Sequence, residues 1–300
     1  MSAQLIEDYN LRLNARSARW VEEQVWVYRT DIIAPEEAVS NYAWLVFDGL
    51  DLDAVIYLNG EEIGRHWNAF TPARFAVSGK VRAGKNSLAV RLESGLYSVS
   101  DKPGGEYCVW MDHKLHKRVW LRKPQYQFSW DWSPSLVNAG IWRGVRLERA
   151  ECARIDSVSV YSEVAPDNQS AVLHTLIFSE NTSGEKLTAV LRMHVVETGD
   201  SIETTADLAS GCSDCSLAVP IENPKLWGPR SYGGQYLYTA KLELVVDGVV
   251  VDSAVRRTGI RSVRTNSSSS GAIFWMYNGP VPRLDNYRLL LAPKACIPPR

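Results

Sequence analysis

The 300-residue sequence predicts an all-β protein made of two successive antiparallel sandwiches, and three observations point there. Short alternating or apolar runs recur at intervals of about ten residues, the rhythm of strands rather than helices. Asn59-Gly60 and Asp247-Gly248 each stand between two such runs, as the dipeptides that close tight hairpins do. Past residue 150 the pattern changes to roughly six or seven strands over about 110 residues, the density of an immunoglobulin-like sandwich. The longer and more numerous strands before it fit a jelly roll. Two domains also suit the length, because single cores generally stop growing at about 250 to 300 residues. The boundaries expected are 1–152, 153–265 and a remainder, 266–300.

Taken in order, VWVYRTDII (Val25 to Ile33) alternates, and WLVFDGL (Trp44 to Leu50) and AVIYLNG (Ala54 to Gly60) follow closely. Asn59-Gly60 then turns the chain into EEIGRHW. After RFAVSGKVRAGKN, with a turn expected at Gly84-Lys85-Asn86, SLAVRLESGLYSV (Ser87 to Val99) reads as a further strand. Asp101 to Lys117 breaks the rhythm and reads as a long excursion loop, a place where function often sits. The strands resume with WLRKPQYQF and IWRGVRLERA. The second block is IDSVSVYSEV, SAVLHTLIFSE, EKLTAVLRMHVVET, CSLAVPI, YLYTAKLELVVDGVVVDSAVRR and IRSVRT. NSSSSG (Asn266 to Gly271) reads as a flexible linker or loop.

Composition narrows the partners. Lys plus Arg (33) nearly balances Asp plus Glu (34), so no net field draws the chain to nucleic acid or to an acidic membrane surface. A neutral ligand or another protein is expected instead. Eleven tryptophans exceed what a core alone requires, and an indole pairs a large flat apolar face with one donor, which suits hydroxyl-bearing ligands. Cys108, Cys152, Cys212, Cys215 and Cys296 are an odd, scattered set, read as reduced. Cys212 and Cys215 form a CxxC that lacks a helix start or a second ligand pair nearby. The N-terminus has no apolar core of a signal peptide, and no apolar run approaches the roughly 18 residues of a membrane span. The chain as it stands is therefore expected to be soluble, and cytoplasmic if Met1 is the native start. Sequons at Asn168, Asn181 and Asn266 occur about as often as chance allows.

The densest aromatic segment is QFSWDWSPSLVNAGIWRGVRLE, Gln127 to Glu148. If extended, it puts Trp130 and Trp132 on one side and Asp131 on the other, and Pro134 ends the regular ladder. Asp131 then has two uses: its oxygens accept hydrogen bonds from adjacent sugar hydroxyls while an indole covers an apolar sugar face, or it caps a packed tryptophan corner. The residue pattern leaves both open. His113 and His116 have a spacing that would suit metal ligation on a helix, but with no third ligand they read as part of a solvated basic loop. Glu22-Glu23 and Glu61-Glu62 are adjacent pairs whose side chains diverge on strands, so they read as solvated or turn residues rather than an acid and base pair. GxSxG, HExxH, P-loop and dinucleotide fingerprints do not occur, and no cofactor or metal is expected.

In this order the segments resemble the N-terminal half of the β-mannosidases within the large β-galactosidase/β-glucuronidase/β-mannosidase family of glycoside hydrolases. The matching stretches are WVEEQVWVYRTDI, LVFDGLDLDAVIYLNGEEIGRHWNAFTPARFAV, GKNSLAVRLES, RKPQYQFSWDWSPSLVNAGIWRGVRLE, LWGPRSYGGQYLYTAKLEL and RRTGIRSV, together about nine tenths of the chain. Trp-Asp-Trp-x-Pro followed by Gly-Ile-Trp-Arg-x-Val-Arg-Leu is the most specific part and points to the mannosidase branch. The resemblance implies a galactose-binding-like, sugar-binding jelly roll first, an immunoglobulin-like sandwich second and a catalytic (β/α)8 barrel third. GAIFWMYNGPVPRL would be the start of that barrel, which needs about 250 residues. Both catalytic carboxylates of a retaining glycosidase would then lie beyond Arg300. The family's first strand also has no counterpart here.

Carried over residue by residue, the resemblance makes Trp130 and Asp131 the contacts to a terminal mannose, Asp131 accepting hydroxyls and Trp130 walling the pocket. Ser133 stands where the family often has glycine. The resemblance leaves Trp132 and Trp142 for packing, gives Asn68 and Phe70 a structural role, and lets the loop from His113 to Arg118 rim the pocket. The function expected is that of a non-catalytic portion of a β-mannosidase-like hydrolase, with a β-mannoside or related neutral sugar and the barrel as partners. Its alternatives are a stand-alone carbohydrate-binding module and a structural sandwich pair docking on a separately encoded barrel.

Overall fold

The computed structural model describes residues 6–40, 42–103, 117–130, 133–230, 233–267 and 273–278. The chain divides into two compact units, Met1–Cys152 and Ala153–Arg300. In the first, helical turns at Asn14–Ser17 and Arg19–Glu23 lead into β1 (Trp26–Ala34), β2 (Tyr42–Phe47), β3 (Leu50–Asp51), β4 (Asp53–Leu58), β5 (Glu61–Trp67), β6 (Ala73–Ala76) and β7 (Gly84–Glu93). Most of the expected excursion loop, residues 104–116, lies outside the described residues, and beyond it come β8 (Phe128–Trp130), β9 (Ser133–Ser135), β10 (Gly140–Ile141) and β11 (Val145–Ala150). Two antiparallel sheets, ordered β1-β7-β4-β5 and β11-β2-β6, form the jelly-roll sandwich. Period-two alternation fills the space between them. Ile56 and Leu58 of β4 and Leu88, Val90 and Leu92 of β7 meet Leu45 and Phe47 of β2 in one buried cluster. Asn59 (φ 54°) and Gly60 (φ 87°) both take the left-handed conformation that a two-residue hairpin demands.

Three local expectations for this unit need correction. Gly84, Lys85 and Asn86 all lie inside β7, so the turn expected there falls before Gly84, where the buried Asn86 carboxamide accepts from Arg82 N (2.8 Å) and donates to Arg82 O (2.7 Å). SLAVRLESGLYSV stops being a strand at Glu93, two residues before Gly95 takes φ 91°. WLRKPQYQF is not a strand: it forms helical turns at Arg118–Trp120 and Gln125–Gln127 around Pro124. Gln125 Nε2 donates to the carbonyls of Arg118, Leu121 and Lys123, taking backbone acceptors out of any ladder.

The second unit holds β12 (Ala153–Val164), β13 (Ser170–Asn181), β14 (Leu187–Val195), β15 (Ser201–Leu208), β16 (Gly211–Glu222), β17 (Tyr238–Val246) and β18 (Val249–Thr258). Sheets β12-β13-β16 and β15-β14-β17-β18 make a three-on-four antiparallel sandwich of the immunoglobulin kind. Leu173, Ile177, Leu217 and Val219 are buried on one sheet and Leu191, Met193, Leu242 and Leu244 on the other, with Thr175 Oγ1 bonded to Met193 Sδ (3.2 Å) between them. Asp247 (φ 51°) and Gly248 (φ 78°) form the expected turn. Strand β15 (SIETTADL) was not among those expected: it is an edge strand whose exposed Ser201, Glu203, Thr205 and Asp207 alternate with Ile202, Thr204, Ala206 and Leu208, an inner face that Thr204 and Ala206 make only weakly apolar.

The segment after β18 adds a hairpin, β19 (Val263–Ser267) with β20 (Ile273–Tyr277), so Asn266 and Ser267 belong to a strand and Ser268 to Gly271 lie outside the described residues. Asn278 then anchors the chain. Its backbone N donates to Ser262 O (3.0 Å), its carboxamide accepts from Ser262 N (3.0 Å) and donates to Trp227 O (2.8 Å), and its carbonyl accepts from Asn168 Nδ2 (3.1 Å). Cys212 and Cys215 are free thiols, while Cys108 and Cys296 lie outside the described residues. Three positions apart on β16, Cys212 and Cys215 point to opposite faces. Asn181 is buried, its amide donating to Glu185 O and Leu208 O. Among the described residues no closed barrel is present.

Candidate functional site

Of the two residues expected to meet a sugar, Trp130 ends β8 in the β8–β9 hairpin. Phe128 pairs with Ser135 and Trp130 with Ser133. The Trp130 side chain, Asp131 and Trp132 lie outside the described residues, as do His113 and His116. What is described is the base on which the hairpin stands. Phe128 is fully buried in a cluster with Leu52, Val99, Leu121 and Val137. Ser129 holds φ 100°, a region that favours glycine, and its hydroxyl donates to Ser133 O (3.3 Å). Leu136 N donates to Gln127 O (2.9 Å) and closes the hairpin below.

Beneath this base runs a buried polar network. Lys123 has no exposed side-chain surface, and its ammonium donates to Ser94 O (3.0 Å) and Asn138 O (2.7 Å) and pairs with Asp51 Oδ1 at 2.9 Å. Gln127 Nε2 donates to Asp51 Oδ2 (3.0 Å), while Gln127 Oε1 accepts from Asn138 N (3.1 Å). Glu22, expected on a solvated face, is buried instead: its carboxylate accepts from Val137 N (2.8 Å) and pairs with Arg19 at 3.3 Å. Glu22 O in turn accepts from Ser94 Oγ (2.7 Å). Burial pushes the Lys123 ammonium below its ordinary pKa, and the neighbouring carboxylates of Asp51 and Glu22 pull it back. The network fixes both chain segments that flank the hairpin, Lys123 to Gln127 before it and Leu136 to Asn138 after it.

Sequence reasoning missed Lys123, Asp51 and Gln127. The available signal was a lysine and two glutamines inside a run otherwise spaced like a strand, since such groups have no place in an apolar core unless they bond one another.

A cleft of about 640 Å³ opens beside the base, between the lead-in segment and the hairpin. Leu13, Arg16, Tyr126, Pro134 and Leu136 line it, together with Glu22. Asn68 has the structural role expected, its carboxamide accepting from Phe70 N (3.0 Å) in a local turn. The Phe70 ring is 62% exposed, however, so the ring itself packs little. Trp142 lies against Gly49, where an added Cβ would come within 2.5 Å of the indole, and Arg143 stacks on the ring at 4.1 Å. Half of its surface stays exposed. Among the described residues no group of three His, Cys, Asp or Glu side chains could hold a metal, and no helix is long and apolar enough to cross a membrane.

Both units have counterparts among known proteins. Residues 1–143 match the glycosyl hydrolase 2 galactose-binding domain-like family, and residues 153–261 match glycosyl hydrolases family 2 itself. The chain belongs to glycosyl hydrolase family 2. Among its curated relatives, beta-mannosidase B of Thermothelomyces thermophilus is 31% identical over 262 residues, covering 86% of this chain and 30% of the relative. Beta-mannosidase B of Aspergillus clavatus is 29% identical over 283 residues, 91% of this chain and 33% of the relative. The crystal structure of the β-D-mannosidase from Dictyoglomus thermophilum matches with a TM-score of 0.78 at 31% identity, over 91% of this chain and 34% of that one. An exo-chitosanase from Amycolatopsis orientalis, 23% identical with a TM-score of 0.72, shares the fold. The chain thus spans about a third of the length of the relatives it matches, as the N-terminal portion of a β-mannosidase-like family 2 protein.

Proposed function

We propose that this portion supplies one wall of a sugar pocket that takes a terminal, non-reducing β-mannoside, with Asp131 accepting sugar hydroxyls and Trp130 covering an apolar face of the ring. Hydrolysis belongs to two carboxylates carried on a barrel, and these residues bind without reacting. The observation that carries this reading is the buried Lys123–Asp51–Gln127 network under the hairpin, since a recognition edge gains affinity when its geometry is fixed before the ligand arrives. Among relatives named for their activity, the β-mannosidases match over most of this chain.

Saturation-transfer NMR and calorimetry of the 300-residue chain with mannose and mannobiose test it, alongside p-nitrophenyl β-mannoside hydrolysis. A single wall predicts millimolar binding, about −4 kcal/mol, lost in Asp131→Ala, and no turnover. Micromolar binding would instead support a stand-alone module. Binding that ignores Asp131→Ala would remove these residues from the site, and turnover abolished by Asp131→Ala would overturn the non-catalytic role.

A further inference from the structure

We propose that β1 is a homodimerisation edge, on which a second copy of this chain adds its own β1 about a two-fold axis at Thr30. Among the described residues, strand β1 ends its sheet, paired on one side only, by β7, through nine residues of unbroken register. Such an edge offers a row of unpaired backbone donors and acceptors and is usually blunted by a bulge, a proline or a short strand. The unbroken register excludes a bulge, the sequence WVYRTDIIA holds no proline, and nine residues is long for an edge strand. Even-numbered residues lie on the inner face, where Ala34 is buried and Ile32 packs on the central cluster while Tyr28 and Thr30 stay exposed. The odd-numbered residues face outward, with Val27 62% and Ile33 74% exposed and Arg29 and Asp31 exposed between them.

That outward face is self-complementary. An antiparallel partner strand centred on Thr30 sets each residue opposite the one that completes a sum of 60 with its number. Val27 then meets the partner's Ile33, and Arg29 meets the partner's Asp31, each contact made twice by symmetry. The result is two ion pairs flanked by two apolar pairs on one face, the combination that stabilises antiparallel neighbours. Centring on Arg29 or on Asp31 would set like charges directly opposite, so the charges select the register. Asp31 already holds Lys85 of its own chain at 2.9 Å, and the partner's Arg29 would complete a three-charge row. The inference does not rest on the sugar site, because none of these residues belongs to the hairpin or its network.

Sedimentation equilibrium of the 300-residue chain over about 0.2 to 200 µM reads the dimer directly. Arg29→Asp and Asp31→Arg are each expected to raise the dimer dissociation constant about tenfold or more, with unchanged circular dichroism and melting. The swapped chain Arg29→Asp/Asp31→Arg, with Lys85→Glu added to keep the internal contact, is expected to dimerise again. Thr30→Cys, on the axis, is expected to cross-link two chains under mild oxidation, the disulfide joining the two copies of the substituted β1 peptide as identified by mass. A wild-type chain that stays monomeric throughout, a dimer indifferent to charge reversal, a swap that fails to restore association, or oxidation of the Thr30→Cys chain without that linked peptide pair would each overturn the proposal.

Discussion

At the scale of single residues, Lys123 and Asp51 matter most to the hairpin. Removing one member of a buried ion pair strands the other charge, so Lys123→Met or Asp51→Asn is expected to cost about 3 to 5 kcal/mol in urea unfolding. The double change Lys123→Met/Asp51→Leu should recover most of that, and strictly additive losses would refute the pairing. Glu93 sits directly across from Asp53, with the Ser98 hydroxyl donating to both. Burial, and after it the neighbouring Asp53 carboxyl, raise Glu93 above the usual carboxylate range. With its folded pKa raised, Glu93 holds its proton more tightly when folded than unfolded. Its stabilising contribution is complete below the unfolded value and lost as pH rises through the folded one. Glu93→Gln should therefore melt above wild type at about pH 7 and lose that advantage by about pH 4. An equal or lower melting temperature at neutral pH would contradict this. None of these four groups was legible in the sequence, because lysines and carboxylates are ordinarily exposed and their burial depends on partners up to 76 positions away, as from Asp51 to Gln127.

At the scale of elements, the legible pieces were those with local causes. Asn-Gly and Asp-Gly turns accept left-handed backbone, and the Leu88-Ala89-Val90-Arg91-Leu92 alternation states its buried face outright. WLRKPQYQF misled because its spacing imitates a strand while Gln125 bonds the backbone locally and Gln127 bonds Asp51 and Asn138. The hairpin itself carries a local conflict. Ser129 adopts φ 100° with a side chain that this region disfavours, and its hydroxyl bond to Ser133 offsets only part of the cost. Ser129→Gly is expected to stabilise the chain by about 1 kcal/mol, read as a rise in the urea midpoint at constant slope. A loss of stability would mean that the hydroxyl bond outweighs the backbone strain.

At the scale of the whole molecule, the all-β class and the succession of a jelly roll and an immunoglobulin-like sandwich were legible, since both follow from strand spacing and turn residues. The tryptophan-rich segment stood out in the sequence, but the foundation of the β8–β9 hairpin did not, because it is assembled from Glu22, Asp51, Ser94, Lys123 and Asn138, which no sequence window brings together. Asn278 has a further consequence. With its backbone N and O and both carboxamide groups engaged, the chain leaves the second sandwich from one fixed post. Anything carried beyond that post meets the rest of the molecule as a tethered neighbour and not by free diffusion, at an effective concentration that tether length sets and that reaches about millimolar for short tethers. On the proposed reading of the hairpin as one pocket wall, closing that pocket with a segment carried past Asn278 would be an intramolecular event, insensitive to dilution.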